Sequence, residues 1–341
     1  MSISATGAYT AKGFISFERN IFPPECFTYI LKGRPDFAKT DLMQSLIDSE
    51  KNCCVEYDYE GKPRLVYCED KNICVRDGTY PYSADAETYG ATDRIIDLSA
   101  FQTDNQIKKQ AARVTDIMHL IRKEEQRCER YLLSCAGIVN DCKRLEKNNL
   151  DSKKLSRYAS KLWRRYTGGM KGSVGTEKKC FLSPLGSKGI KNADSVFSEL
   201  CSSVTVINDW VGCAADQITD KIRLYALSSG YDVISCADIL FPDEAPEHVI
   251  IPELKFGIYR QRSSAMPEFR AYKRIHARRF MLRESSDSIR NRISFSKKAY
   301  SDLLNEAAAS IKKIGFYNGE LDKIYSEKFD SQTFSDFYRS I

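Results

Sequence analysis

The chain has 341 residues, of which 42% are apolar and 29% charged, and its formal net charge is +6. That is globular composition, with enough length for one large domain or two ordinary ones. Apolar runs stay as short as Val249-Ile250-Ile251, far below the roughly 18 residues of a membrane span, and Met1–Gly7 lacks both the basic and the greasy stretch of a secretory leader. The expectation is a cytoplasmic protein with no membrane partner.

The first punctuated unit is Phe27–Leu31, β-branched and aromatic, followed by Lys32-Gly33-Arg34-Pro35-Asp36 and a helix-like run from Lys39 to Ser49. This predicts strand, turn, helix. Short strands are predicted at Cys54–Tyr57, Arg64–Cys68 and Ile73–Arg76, and the mixture points to an α/β sheet. From Ile107 the spacing becomes helical: Ile107, Ala111, Val114, Met118, Ile121, Cys128, Leu132, Cys135, Val139 and Cys142 keep a seam that only Glu125 breaks. Asn149 or Asp151 would cap a second helix with Leu155, Tyr158, Leu162 and Tyr166 on its face. Together these predict a long antiparallel helical hairpin over about 104–166.

Gly168, Gly169, Gly172 and Gly175 then fall within eight residues, and a linker is predicted over 168–178. Beyond it the pattern begins again. Lys12-Gly13 recurs as Lys188-Gly189 and Tyr29-Ile30-Leu31 as Thr205-Val206-Ile207, both at an offset of 176, which also sets Leu42 on Ile218 and Leu46 on Ile222. At an offset of 184, Val66–Glu69 meets Ile250–Glu253. A late helical run carries Tyr300, Leu304, Ala307, Ile311, Ile314, Leu321 and Ile324. The common order predicts a duplicated unit of α/β sheet and helices: 1–167 with its hairpin, and 179–341 with C-terminal helices.

Twelve cysteines contain no C-x-x-C pair, and His119, His248 and His276 stand far apart. No zinc or haem site is expected, and the cysteines read as reduced thiols, with a disulfide framework as the weaker alternative. Charge is concentrated: Lys255–Arg283 holds nine basic residues against the single acid Glu268, or +8, so the rest of the chain sums to −2. Within that run Arg270, Lys273, Arg274, Arg278 and Arg279, interleaved with Phe269, Tyr272 and Phe280, form a candidate polyanion surface. The competing reading is a solvated basic loop or a docking face for an acidic protein, favoured because no recognised nucleic-acid-binding motif accompanies the run.

Chemistry is suggested at one place. Gly33-Arg34-Pro35-Asp36-Phe37-Ala38-Lys39-Thr40 matches the phosphate-loop pattern G-x-x-x-x-G-K-[ST] except for Ala38. Such a loop wraps phosphates in backbone N–H groups, neutralises them with lysine and holds magnesium with a hydroxyl. Gly33, Pro35, Ala38, Lys39 and Thr40 are therefore the candidate nucleotide-binding residues, and Thr40 and Asp77 the candidate magnesium ligands. Asp36 sets a carboxylate where anion-binding amides are wanted. The plain alternative is an ordinary turn with a solvated lysine.

Several ordered segments carry a resemblance: Thr10-Ala11-Lys12-Gly13-Phe14, the strand and loop Tyr29–Gly33, Asp77-Gly78-Thr79-Tyr80-Pro81-Tyr82, Gly90–Leu98, and in the second half Gly230–Val233 and Val249–Leu254. Nearly the whole chain resembles a bacterial family of tandem P-loop ATPase-like proteins of unknown physiological role. The resemblance implies two P-loop NTPase-like α/β units in tandem. It also exposes departures: the family's loop glycines are Asp36 and Ala38, and its histidine after Thr-x-Pro is Tyr82. In the second half Ala214, Ala215 and Asp216 occupy the loop, so lysine and hydroxyl are both missing, and Gln261 stands in the place of Asp77. The expectation is a degenerate protein that binds ATP or another nucleotide with magnesium weakly through its first half, or acts without catalysis as an interaction or regulatory protein through its helical hairpin or basic surface. No catalytic residue is assigned. A slow magnesium-dependent ATPase and a nucleic-acid-binding module are the alternatives.

Overall fold

The computed structural model describes residues 2–3, 5–17, 26–102, 106–167, 169–262, 269, 273–282 and 287–338. The chain opens with β1 (Ser2–Ile3), the hairpin β2 (Gly7–Thr10) and β3 (Gly13–Ser16), β4 (Phe27–Lys32) and helix α1 (Asp36–Ser49). Next come β5 (Cys53–Tyr57), β6 (Pro63–Cys68), β7 (Ile73–Asp77) and β8 (Asp93–Asp97), then α2 (Gln106–Lys109), α3 (Ala111–Lys147) and α4 (Ser152–Tyr166). The rest of the chain comprises β9 (Glu177–Cys180), the hairpin β10 (Leu185–Gly186) and β11 (Gly189–Ile190), α5 (Asp194–Leu200), β12 (Ser203–Asn208) and α6 (Cys213–Ser228). It closes with β13 (Val233–Cys236), β14 (His248–Ile251), β15 (Phe256–Gln261), β16 (Lys273–His276), α7 (Asp287–Ser326) and α8 (Ser331–Tyr338).

Two mixed six-stranded sheets result, ordered β1-β5-β6-β7-β4-β8 and β9-β13-β14-β15-β12-β16. Position by position the senses agree: one parallel pair, two antiparallel steps, then two parallel steps. At the offset of 176, Leu31, which pairs with Asp77, corresponds to Ile207, which pairs with Arg260, so Arg260 rather than the expected Gln261 takes the register position of Asp77. The strands next to the edge in the two sheets, β4 and β12, are each followed by a helix. The parallel strands are apolar at their centres, as Ile30, Leu31, Val206 and Ile207 show, because both faces of each sheet are covered.

The hairpin expected over about 104–166 takes a different form. Helix α3 packs antiparallel along α7, with Asp141 paired to Arg292 at 2.7 Å, Cys135 Sγ 3.7 Å from the Tyr300 carbonyl, and Glu320 3.5 Å from Arg113. The seam of Ile121, Cys128, Leu132, Cys135 and Val139 meets Ala307, Ile311, Ile314 and Leu321 in one cluster. Ile117, rather than Ala111 or Val114, is the buried residue of its first turns. Cys128, Cys135 and Cys142 are fully buried, as seam positions require, and all twelve cysteines are free thiols.

Helix α4 turns away to cover α6, its Leu155, Leu162 and Trp163 joining Ile218 and Ile222. Helix α8 does the reciprocal thing: Phe334 packs with Leu31, Ala38 and Leu42 beside α1. The exchange is matched in detail. Asp151 donates its backbone N–H to the Phe280 carbonyl, and Asp330 donates to that of Phe101; Leu150 bridges Met281 and Gln102 bridges Phe329. Each long helix thus carries a short helix across to the sheet that its own segment did not build. Of the glycine-rich segment, Gly168 lies outside the described residues, while Lys171 and Gly175 bond to the Ser229 and Leu227 carbonyls at the end of α6.

Candidate functional site

The turn after β4 is short. Gly33 takes φ +97°, in the left-handed region that only glycine enters readily, Pro35 caps the helix, and α1 begins at Asp36. The sequence pattern places the start of the helix at Lys39. One extra turn forms because Pro35 presets the backbone for entry and Asp36 suits the positive helix end. Ala38 is consequently a helical residue buried against Leu31 and Leu42.

Lys39 is 3% exposed. Its ammonium lies 2.8 Å from Asp36, 3.1 Å from both Asp77 carboxylate oxygens, and 3.0 Å from the Thr79 hydroxyl. Arg64 lies 3.4 Å from Asp77 and donates to its backbone carbonyl at 2.7 Å. Burial opposes ionisation of Asp36, but Lys39 and Arg34 outweigh it and hold its carboxyl below the ordinary range. The structure thus brings Lys39 and Asp77 together, as a loop lysine and a strand-end acid would be. The Thr40 hydroxyl, by contrast, donates to the Asp36 carbonyl of its own helix at 3.1 Å. Thr40 and Asp77, the residues proposed for magnesium, are engaged with different partners. No cluster of three or more metal-ligating side chains occurs among the described residues.

A helix from the far end of the chain completes this corner. Asp322 of α7 accepts the Asp36 backbone N–H at 3.0 Å and pairs with Arg34 at 2.9 Å. Arg34 also donates to the Asn318 side chain at 2.6 Å. The first-turn amide of α1 is therefore bonded to a carboxylate of the protein itself. Asp322 and Arg34 carry no motif that sequence reading could have joined, since 288 residues separate them.

The second corner is built alike from different residues. Gly212 takes φ +99° ahead of α6, and the Asp209 carboxylate accepts the N–H groups of Gly212, Ala214 and Ala215 at 2.8, 2.8 and 2.9 Å. Ala214 and Ala215 are fully buried. The lysine missing here is replaced from elsewhere: Lys143 of α3 lies 2.8 Å from Asp216, and Arg260 of β15 lies 3.0 Å from it. A cleft of about 490 Å³ opens beside them, lined by Lys143, Arg144, Lys147, Cys213, Asp216 and Glu244 among others. The N-cap of α6 is Gly212, so neither Asp209, three residues ahead of it, nor Lys143 carries a signal that the sequence pattern could read.

The basic run does not form one surface. Arg260 is 2% exposed and bonds Asp216 and the Trp210 carbonyl, while Arg262 pairs with Asp238 in the same buried network. Phe269 is buried against Phe197. A charge tally along the chain counts these arginines as surface because it ignores the acids that fold onto them, here Asp238 and Glu247. Arg270, Tyr272 and Arg283 lie outside the described residues. Arg274, Arg278 and Arg279 are exposed and Lys273 half-buried. No helix among the described residues is long and apolar enough to cross a membrane.

Comparison of the chain with protein-family models, with curated proteins and with solved structures returns no match.

Proposed function

We propose that this protein is a degenerate tandem P-loop NTPase-like protein that works without catalysis, as an interaction or regulatory protein of the cytoplasm. One observation carries this reading: amide groups that open α1 and α6 are bonded to the protein's own carboxylates, Asp322 and Asp209. A phosphate loop binds by offering such amides to an anion. Here an internal anion supplies the same charge and the same acceptors, and Lys39 is neutralised by Asp36 and Asp77. The repeated strand order and the β4–α1 and β12–α6 connections support descent from a paired α/β unit. Free thiols throughout suit a reducing compartment.

Weak magnesium-linked binding of ATP or another nucleotide in the first half is the competing reading, favoured by the Lys39–Asp77–Thr79 cluster. It requires Asp322 to leave α1 and Lys39 to exchange its carboxylates for phosphate. Equilibrium binding of labelled ATP and GTP with magnesium, together with phosphate release, tests both readings in wild type, Lys39→Ala and Asp322→Ala. The non-catalytic reading expects wild-type affinity weaker than about 1 mM and background turnover. Turnover that Lys39→Ala abolishes would overturn it in favour of a slow ATPase.

A further inference from the structure

Helix α4 reads SKKLSRYASKLWRRY: six basic residues, Lys153, Lys154, Arg157, Lys161, Arg164 and Arg165, and no acid. That is as much charge as the whole chain carries net. Its apolar face is consumed by the fold, since Leu155, Ala159, Leu162 and Trp163 are buried against the second sheet's layer, and all six basic residues are exposed. The exchange of helices sets this face beside the strand β16 and the turn Ala277–Phe280, which carry Lys273, Arg274, Arg278 and Arg279. Asp151 bonds the Phe280 backbone, and the Lys154 ammonium bonds the Arg279 carbonyl. Tyr158 lies between the two groups, with Lys273 and Arg279 each 5.4 Å from its ring centre.

Lys161, Arg165, Lys273 and Arg279 share one neighbourhood. Slight burial and then the charges of Arg165, Arg279 and Lys161 depress the Lys273 ammonium, so these residues from both segments are close enough to repel. Concentrated like charge costs the fold stability unless an anion relieves it. A helix of 15 residues is about 22 Å long, which spans roughly six base pairs at 3.4 Å per step. Arginine forks match phosphate geometry. An anionic bilayer fits less well, because an interfacial helix must present an apolar face to the lipid, and that of α4 is spent in the core.

We propose that α4 and the Lys273–Phe280 segment together form one surface that binds the phosphate backbone of a nucleic acid. It reads no sequence: phosphate contacts set affinity and position, and no element here is built to enter a groove.

Fluorescence anisotropy with a labelled 20-nucleotide RNA and a 20-base-pair DNA duplex, titrated between about 50 and 300 mM KCl, tests this. Wild type binds both, and log K falls linearly with log salt. Arg157→Gln/Lys161→Gln/Arg164→Gln weakens binding at least about tenfold and lowers the slope by about two to three, at roughly 0.7–0.9 for each phosphate no longer neutralised. The pair Arg278→Gln/Arg279→Gln, on the other segment, lowers it by about one to two. Circular dichroism confirms folding, and if the triple variant unfolds the pair decides. Binding that neither variant weakens, or none by wild type at the lowest salt, overturns the proposal. So does selective binding of phosphatidylserine vesicles or polyglutamate in place of both nucleic acids.

Discussion

Asp322 and Asp36 are joined by a hydrogen bond from the backbone N–H of Asp36 to the carboxylate of Asp322, 3.0 Å long and spanning 286 residues. Burial and the Asp36 charge raise the Asp322 carboxyl, against the pull of that N–H and of Arg34. Two acids are thus held side by side because Arg34 and Lys39 stand over them. Asp209 performs the equivalent task for α6 within a single turn.

Asp322→Ala should lower unfolding free energy by about 1–3 kcal/mol, since it strips an N-terminal amide and a half-buried arginine of a charged acceptor. Urea denaturation measures this. Asn in the same position should recover part of the loss by accepting the same N–H.

Asp209→Ala should cost about 2–3 kcal/mol in the same assay, because three buried donors lose their acceptor together. An unchanged midpoint would mean that water reaches the Gly212–Ala215 amides.

Leu132 is fully buried in the α3–α7 seam. Leu132→Ala should therefore destabilise by about 2–5 kcal/mol, the range for emptying a leucine-sized space. Leu133→Ala, at an exposed neighbouring position, should stay within about 0.5 kcal/mol.

His248 supplies one pH dependence, opposed between about 4.5 and 7 by its neighbour Glu247, whose carboxyl is raised to about 7 by burial and then by the Asp238 charge. The His248 Nδ1 accepts the Arg260 backbone N–H at 3.1 Å, which leaves Nε2–H to donate to Ser183 Oγ at 3.0 Å, so the ring is neutral. Burial, then the charge of Arg260, depress its pKa from 6.5 to about 3, with Arg262 adding to this and Asp238 opposing. Below pH 6.5 the unfolded chain takes up a proton that the native protein refuses. This contribution is therefore complete above 6.5 and is lost as pH falls towards 3, at up to about 1.4 kcal/mol per pH unit. Relative to wild type, His248→Gln should gain stability as pH falls from 6.5 to 4.5, measured by denaturation at each pH.

The strand-turn-helix at Phe27–Ser49, the strands near 54, 64 and 73, and the buried cysteine heptad follow from local periodicity, and the structure contains them. The seam of α3 was legible too, but not the helix that fills it: two apolar stripes, α4 and α7, competed, and α7 is the one that packs along Ile117–Val139 of α3. Glu125, the residue that breaks the seam, accepts hydrogen bonds from Tyr9 and Tyr80 at 3.0 and 2.6 Å. At the candidate site the sequence offered Lys39 for phosphate and Asp77 for magnesium, not the ion pair that they make with each other, and the early start of α1 depended on weighing Pro35 and Asp36 as helix openers. The basic face of α4 stood in the sequence unused, because a run of Lys and Arg between apolar residues reads first as a solvated helix side.

The crossing of α8 onto the first sheet also sets a timetable for synthesis. Leu31 and Leu42 leave the ribosome roughly 300 residues ahead of Phe334, which packs with them. At 5–20 residues per second that interval is about 15–60 s. Throughout it the β4–α1 layer has its strands and helix but lacks its cover, an apolar face on a nascent chain and a natural target for chaperones. Of the two sheets, the one made earlier waits until past the end of α7 to be finished.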